Sequence, residues 1–151
     1  MKQKIGLTFQ MLLFAIIFFT IESCDPADNR LKIVNNSNTD IYFFYSCDSS
    51  LNNLNLFKTG YYRNSIGDST FITSDHLINK RADRKVPMRG LNAWEQYLNN
   101  CNNKEIYIYI FLDSIVNKFP PDEISKRRMY EKCFNYNAYD LKQINWTIVY
   151  P

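Results

Sequence analysis

The sequence predicts an α+β fold that is rich in β-structure, with a mainly antiparallel sheet or sandwich and two or three short helices. Residues 105–112 alternate isoleucine with aromatic residues and leave no polar face. Aromatic residues make up 16% of the chain, whereas Gly and Pro are few. An apolar run of strand length is typical of the centre of a sheet that is covered on both faces.

The first strands are predicted at residues 31–34 and 40–46, on either side of the polar turn residues 35–38. This arrangement predicts an antiparallel hairpin. The second segment is apolar at both odd and even positions, for example at Phe43 and Phe44. We therefore expect both of its faces to be covered.

The middle of the chain has weaker periodicity. Residues 48–65 are rich in Asn and Ser, which predicts a loop or an irregular layer. Residues 70–73 predict a short strand, and residues 80–89 predict a charged connection.

Three segments predict helices. Asn92 is a candidate N-cap for a short helix with apolar residues on one side. Pro120 and Pro121, followed by two acidic residues, predict the start of a helix of about three turns. Asn137 and Asp140 have the spacing of a capping pair.

The first residues have the pattern of a secretory signal peptide. Lys2 and Lys4 precede the apolar run 11–19, which is too short for a bilayer that requires about 20 apolar residues. We predict a signal peptide at 1–23, a tether at 24–30 and a single globular domain at 31–151.

The end of this leader, Ile21-Glu22-Ser23-Cys24, resembles the lipobox that bacterial lipoprotein signal peptidase recognises. Glu22 departs from the small or uncharged residue that is usual there. The resemblance implies that Cys24 is the lipid-attachment residue and the mature N-terminus. Two alternatives are an ordinary secretory leader with a chance cysteine and an uncleaved N-terminal anchor.

The C-terminal segment Asn145-Trp-Thr-Ile-Val-Tyr-Pro151 resembles the end of an uncharacterised family of lipoproteins from Bacteroidetes. That family has no assigned activity. The resemblance implies a lipid-anchored protein of the cell envelope, in the outer membrane, and it implies no mechanism.

The predicted mature chain is not strongly basic. The full chain has 18 basic and 15 acidic residues, and removal of Lys2, Lys4 and Glu22 leaves a net charge of +2. Nucleic-acid-binding domains usually carry a large basic excess, so we expect no nucleic-acid partner.

Few residues could support catalysis or bind a metal. His76 is the only histidine, and we expect it in a turn or at the surface. No Cys-x-x-Cys occurs, so we predict no metal site, no cofactor and no enzymatic activity. Acidic residues are common, but no two have the spacing that singles out a glycosidase pair.

Three cysteines remain after lipidation: Cys47, Cys101 and Cys133. In an oxidising compartment two of them could pair in any of three ways, and the alternative is that all three stay reduced.

The densest basic stretch consists of Lys80, Arg81, Arg84, Lys85 and Arg89. It could contact an anionic partner, or it could be a solvated loop. The favoured function is a non-enzymatic envelope protein that binds a protein partner or has a structural role. A glycan-binding accessory lipoprotein is the alternative, because sugars stack on exposed aromatic rings.

Metabolic labelling with a palmitate analogue tests the lipid anchor. We expect label on the wild-type protein and none on Cys24→Ala, because the cysteine sulfur is the atom that takes the diacylglycerol. The readouts are the label and the electrophoretic shift. An unlabelled wild-type protein would contradict lipidation.

Overall fold

The computed structural model describes residues 26–51, 54, 60–63, 69–72 and 75–151. Cys24 and the leader lie outside these residues. In the described ranges, no helix has both the length and the apolar character needed to cross a bilayer. The described strands are β1 Ala27–Asp28, β2 Lys32–Asn35, β3 Ile41–Ser46, β4 Gly60–Arg63, β5 Ser69–Ile72, β6 Leu77–Ile78, β7 Ala82–Lys85, β8 Met88–Arg89, β9 Glu105–Leu112, β10 Lys132–Asn137 and β11 Thr147–Tyr150. The described helices are α1 Ala93–Asn100, α2 Asp113–Lys118, α3 Pro121–Arg127 and α4 Ala138–Gln143.

A four-stranded antiparallel sheet forms the centre of the fold, in the order β10-β9-β3-β6. In β9, Ile106, Ile108 and Ile110 enter one hydrophobic cluster, while Tyr109 and Phe111 enter another. The strand is therefore buried on both faces, as its sequence predicted. The α+β, β-rich fold class is confirmed, although the described residues hold four helices rather than two or three.

The two faces of this sheet are covered differently. The first cluster includes Trp94 of α1, Leu141 of α4 and Ile148 of β11, so a second sheet and two helices cover that face. The other cluster is formed with Val116 of α2 and Ile124 of α3. Because β3 also contributes to both clusters, its two faces are covered as predicted.

The predicted hairpin of residues 31–34 and 40–46 is wrong. β2 belongs to a separate three-stranded sheet of order β11-β2-β7, in which it is parallel to β11 and antiparallel to β7. Asn35 explains the difference, because its buried side chain accepts a bond from the Ser37 amide at 3.0 Å and donates to the Thr39 carbonyl at 2.8 Å. These bonds shape a connection that carries the chain from one sheet to the other.

Several other predictions need correction. Residues 80–89 are not only a connection, since they contain β7 and β8. Asn92 precedes α1 but has a left-handed φ of 51° and makes no side-chain cap bond. α3 spans about two turns rather than three, because Arg128 ends it with a φ of 49°. The short strand expected at 70–73 corresponds to β5, which pairs with β4.

The predicted capping pair at α4 is confirmed. Asn137 Oδ1 accepts bonds from the amides of Tyr139 and Asp140, at 2.8 and 3.0 Å. Asp140 Oδ2 in turn accepts a bond from the Asn137 amide at 3.2 Å. This reciprocal arrangement satisfies amide groups that the start of a helix leaves without intrahelical partners.

The segment predicted as a tether, 24–30, belongs to the folded domain from Pro26 onward. β1 pairs with β8, so that Ala27 lies opposite Arg89 and Asp28 lies opposite Met88. The Asp28 side chain is buried and cannot behave as part of a solvated linker.

Arg30 binds three separate parts of the chain. Its guanidinium forms a two-point ion pair with Asp28, at 2.9 and 2.7 Å, and a second ion pair with Glu95 of α1. The same group lies 4.5 Å from the centre of the Trp146 ring. The Arg30 side chain lowers the pKa of Asp28 from its usual 3.8 to about 2.

Acid titration of wild type and Asp28→Asn tests this contact. Because the folded pKa is depressed, the Asp28 carboxylate stabilises the fold above pH 3.8, and this stability is lost as pH falls toward 2. We expect the free energy of unfolding in urea to lose about 2 kcal/mol over that range, a loss that Asp28→Asn should not show. The exposed Asp122→Asn is the control. A pH dependence that is the same in wild type and Asp28→Asn would contradict the assignment.

Candidate functional site

A cleft of about 360 Å³ opens where β3, the turn before β6 and the end of β7 meet. β3 and β7 belong to different sheets, so the cleft is a gap at the junction of the two sheets. Its lining residues combine apolar and charged side chains: Phe43, Tyr45, Asp75, His76, Arg84, Lys85, Val86 and Pro87.

The apolar wall of the cleft is packed against α1. Phe43 and Tyr45 lie two residues apart on β3 and therefore share a face. The Tyr45 ring makes edge contacts with Trp94 and Tyr97 of α1, at centroid distances of 5.3 and 5.8 Å. Burial raises the pKa of Tyr45, so this hydroxyl stays neutral at physiological pH.

His76 is in a turn, as predicted, but it is half-buried and lines the cleft. Its Nδ1 lies 3.1 Å from the Phe43 carbonyl oxygen, and its own carbonyl accepts a bond from the Phe43 amide at 2.9 Å. The imidazole lies 5.4 Å from the Phe43 ring. Burial lowers the pKa of His76 below its usual 6.5, so the ring is neutral at pH 7.

The charged side of the cleft comes from β7 and the turn. Arg84 donates to the Leu77 carbonyl at 2.7 Å, and it lies 3.5 Å from the carboxylate of Asp75. The Asp75 side chain is 94% exposed, so this ion pair is screened by water and easily exchanged. Lys85, the last residue of β7, is exposed beside it.

The residues of the predicted basic stretch do not all line the cleft. Only Arg84 and Lys85 line the cleft. The Lys80 amide donates to Asp40, and the Arg81 guanidinium donates to the Asn38 side chain at 3.1 and 2.9 Å. Arg89 lies on β8 opposite Ala27. The stretch is divided because β7 and β8 pair with different strands.

The carboxylates are likewise dispersed. Asp83 pairs with Lys32 at 3.1 Å, and Glu123 pairs with Arg127 at 2.7 Å. Among the residues that the structure describes, no group of three or more His, Cys, Asp or Glu residues could hold a metal ion.

The cysteines adopt one of the three pairings that the sequence left open. Cys47, just after β3, forms a disulfide with Cys101, which ends α1, and the two Cα atoms are 5.0 Å apart. Cys133 is a free, partly buried thiol. Burial raises its pKa, so it is a poor nucleophile at neutral pH.

Sequence reasoning identified Arg84 and Lys85 but missed their neighbours in the cleft. The sequence predicts residues 40–46, which include Phe43 and Tyr45, only as a strand that is covered on both faces, and no pattern connects His76 with it. The long separation between β3 and β7 hides the cleft, because no local pattern reports which strands will face each other.

Comparisons with known proteins add no relative. No protein-family model matches the chain, and neither a curated protein nor a solved structure matches it. The resemblance of the C-terminal segment to a Bacteroidetes lipoprotein family therefore stays a prediction.

Titration of the single imidazole by NMR tests the environment of the cleft. We expect the pKa of His76 to be lower in the folded protein than in the urea-unfolded chain, because burial disfavours the charged ring. The contribution of the neutral His76 ring to the free energy of unfolding is therefore complete above the pKa of the unfolded chain. This contribution is lost as pH falls toward the lower pKa of the folded protein.

His76→Gln should remove that part of the pH dependence of unfolding. A folded-state pKa equal to or above that of the unfolded chain would show that the imidazole is solvated and that the described cleft is incorrect.

Proposed function

We propose that this chain is a lipid-anchored protein of the cell envelope whose domain binds an acidic, extended segment of another envelope protein. No catalytic role is assigned to it. The observation that carries the binding proposal is the cleft between the two sheets, where Arg84 and Lys85 lie beside an apolar wall.

The lipid anchor is supported by the sequence around Cys24. Pro26, the first residue that the structure describes, comes two residues after Cys24, so an acylated Cys24 would hold the whole domain at a membrane. Two or three acyl chains hold a protein stably, whereas a single chain binds only marginally.

The charges of the cleft favour an acidic partner. Lys85 is exposed, and the ion pair that Arg84 makes with Asp75 is open to water. A carboxylate from a partner could replace Asp75 without leaving a buried charge unpaired. Complementary charge of this kind increases the association rate and selects among partners.

The backbone beside the cleft favours an extended segment. β7 is the outer strand in the order β11-β2-β7. The Val86 amide donates to the Leu31 carbonyl at 2.8 Å, so these two opposite residues form a hydrogen-bonded pair. Such pairs alternate with non-bonded pairs along antiparallel strands, so Ile33 and Arg84 form the next hydrogen-bonded pair. The amide of Lys85 therefore points away from β2. An incoming strand can add to such an edge, while side-chain pockets beside it determine specificity.

Glycan binding is less well supported by this surface. Sugar recognition usually requires flat aromatic faces that are open to solvent. Among residues 26–51, 54 and 75–151, the large hydrophobic residues that are exposed are Leu91, Tyr139 and Val149, and only one of them is aromatic. Tyr45, the partly exposed ring of the cleft, is already packed against α1.

Binding of a fluorescent octaglutamate peptide at low ionic strength tests the proposal. We expect Lys85→Glu to raise the Kd by roughly fivefold, equivalent to about 1 kcal/mol, because it reverses one charge at the cleft. The His76 imidazole signals should also shift when the peptide binds to the wild-type protein.

Lys126→Glu is the matched control, since it makes the same charge change on an exposed position of α3. Equal weakening by both variants would mean general electrostatic attraction and would contradict the cleft. If an acidic oligosaccharide bound with dependence on Lys85 while the peptide did not, the glycan alternative would replace the proposal.

A further inference from the structure

We propose that the turn at Gly90–Asn92 inserts Leu91 into the headgroup layer of the membrane that holds the lipid of this same chain. The inference rests on the proposed lipid anchor at Cys24. It adds a second, non-covalent membrane contact and a fixed orientation of the domain.

The first step is the short distance from the lipid to the fold. Only Asp25 lies between Cys24 and Pro26, and the two Cα–Cα steps that join them span at most about 7 Å in any conformation. The headgroup layer on each side of a bilayer is about 5 to 7 Å thick. Together with the cysteine side chain that carries the lipid, this short link keeps Pro26 within or directly above that layer.

The second step is the attachment of the turn to this N-terminal segment. The Gly90 amide donates to the Pro26 carbonyl at 3.0 Å, and β8 pairs with β1 directly before the turn. Asp28 and Arg30 secure β1 through the ion pair described above, and the Trp94 amide donates to Asp28 at 3.2 Å. The turn must therefore approach the membrane together with Pro26.

The third step is the character of the turn. Leu91 is 72% exposed, more than any other large hydrophobic residue among residues 26–51, 54 and 75–151. Gly90 has a φ of 109° and Asn92 a φ of 51°, and the Gln96 side chain donates to the Leu91 carbonyl at 3.1 Å. The leucine is thus displayed by an ordered turn.

Charge on this surface is compatible with phospholipid headgroups. Arg89 is exposed and directly precedes the turn. Among the described residues, Asp28 of β1 and Glu95 of α1 are acidic groups close to this turn in sequence or strand pairing, and both are paired with Arg30. Leu91 beside Arg89 suits the interfacial layer of a bilayer, because an apolar side chain can enter the layer while a basic group contacts the lipid phosphates.

Depth-dependent fluorescence quenching tests the inference on the full-length lipidated protein. Leu91→Trp would be reconstituted in vesicles of phosphatidylethanolamine and phosphatidylglycerol, with and without lipids brominated near the headgroup. We expect bromolipid to reduce the added fluorescence of this variant, measured after subtraction of wild type, whose Trp94 and Trp146 are buried.

Val149→Trp is the matched control, because it also replaces an exposed aliphatic residue. Val149 pairs with Val34, three residues farther along the chain than Leu31, so it lies away from the β1 end of the sheet. We expect no quenching there. Both variants should unfold at the temperature of wild type, since neither site is buried.

The outcomes separate the two proposals. Palmitate label on Cys24 without quenching at position 91 would preserve the anchor and overturn the insertion, as would equal quenching at both positions. A blue shift of the Leu91→Trp emission that depends on the density of protein in the vesicles, without quenching, would assign position 91 to contact with a second copy. That result would also overturn the insertion. Absence of label would overturn the anchor and the insertion together.

Discussion

The guanidinium group of Arg30 is the contact on which the arrangement of the rest of the domain depends. It joins Asp28, two residues before it, to Glu95 on the first helix and to the ring of Trp146 near the C-terminus. Asp28 is buried, and a buried carboxylate without its cation is strongly destabilising. The contact therefore requires three distant parts of the sequence to come together at one place.

The C-terminal end of the chain is shaped around the same contact. Asn145 and Trp146 both have positive φ values, 49° and 56°, which bulky residues rarely adopt. The Trp146 amide donates to Leu141 at 2.7 Å, and the Lys32 amide donates to the Trp146 carbonyl at 2.9 Å. This turn directs β11 alongside β2, and these two strands form part of the second sheet over the main core.

The cleft and the turn proposed to face the membrane are close along the chain. Val86 and Pro87 line the cleft and are followed directly by β8, which pairs with β1. If Cys24 is lipidated, the cleft opens within a few residues of the membrane-facing turn. A partner that reaches it would then be one that lies near the same membrane. The sequence indicated only Arg84 and Lys85 of the cleft, because the aromatic wall and His76 come from strands and turns that meet only in the folded chain.

The elements that the sequence determined by itself are those with a local physical cause. The apolar run of β9 requires cover on both faces, and the reciprocal bonds of Asn137 and Asp140 start α4 wherever that helix is placed. Strand partners have no such local cause. β2 and β3 look like a hairpin in sequence, yet buried Asn35 directs them into different sheets, and the order β11-β2-β7 arises only when β11 meets β2 in the folded chain. Tertiary packing decided the sheet order, the disulfide partner of Cys47 and the cleft, because each depends on contacts between residues that are distant in sequence.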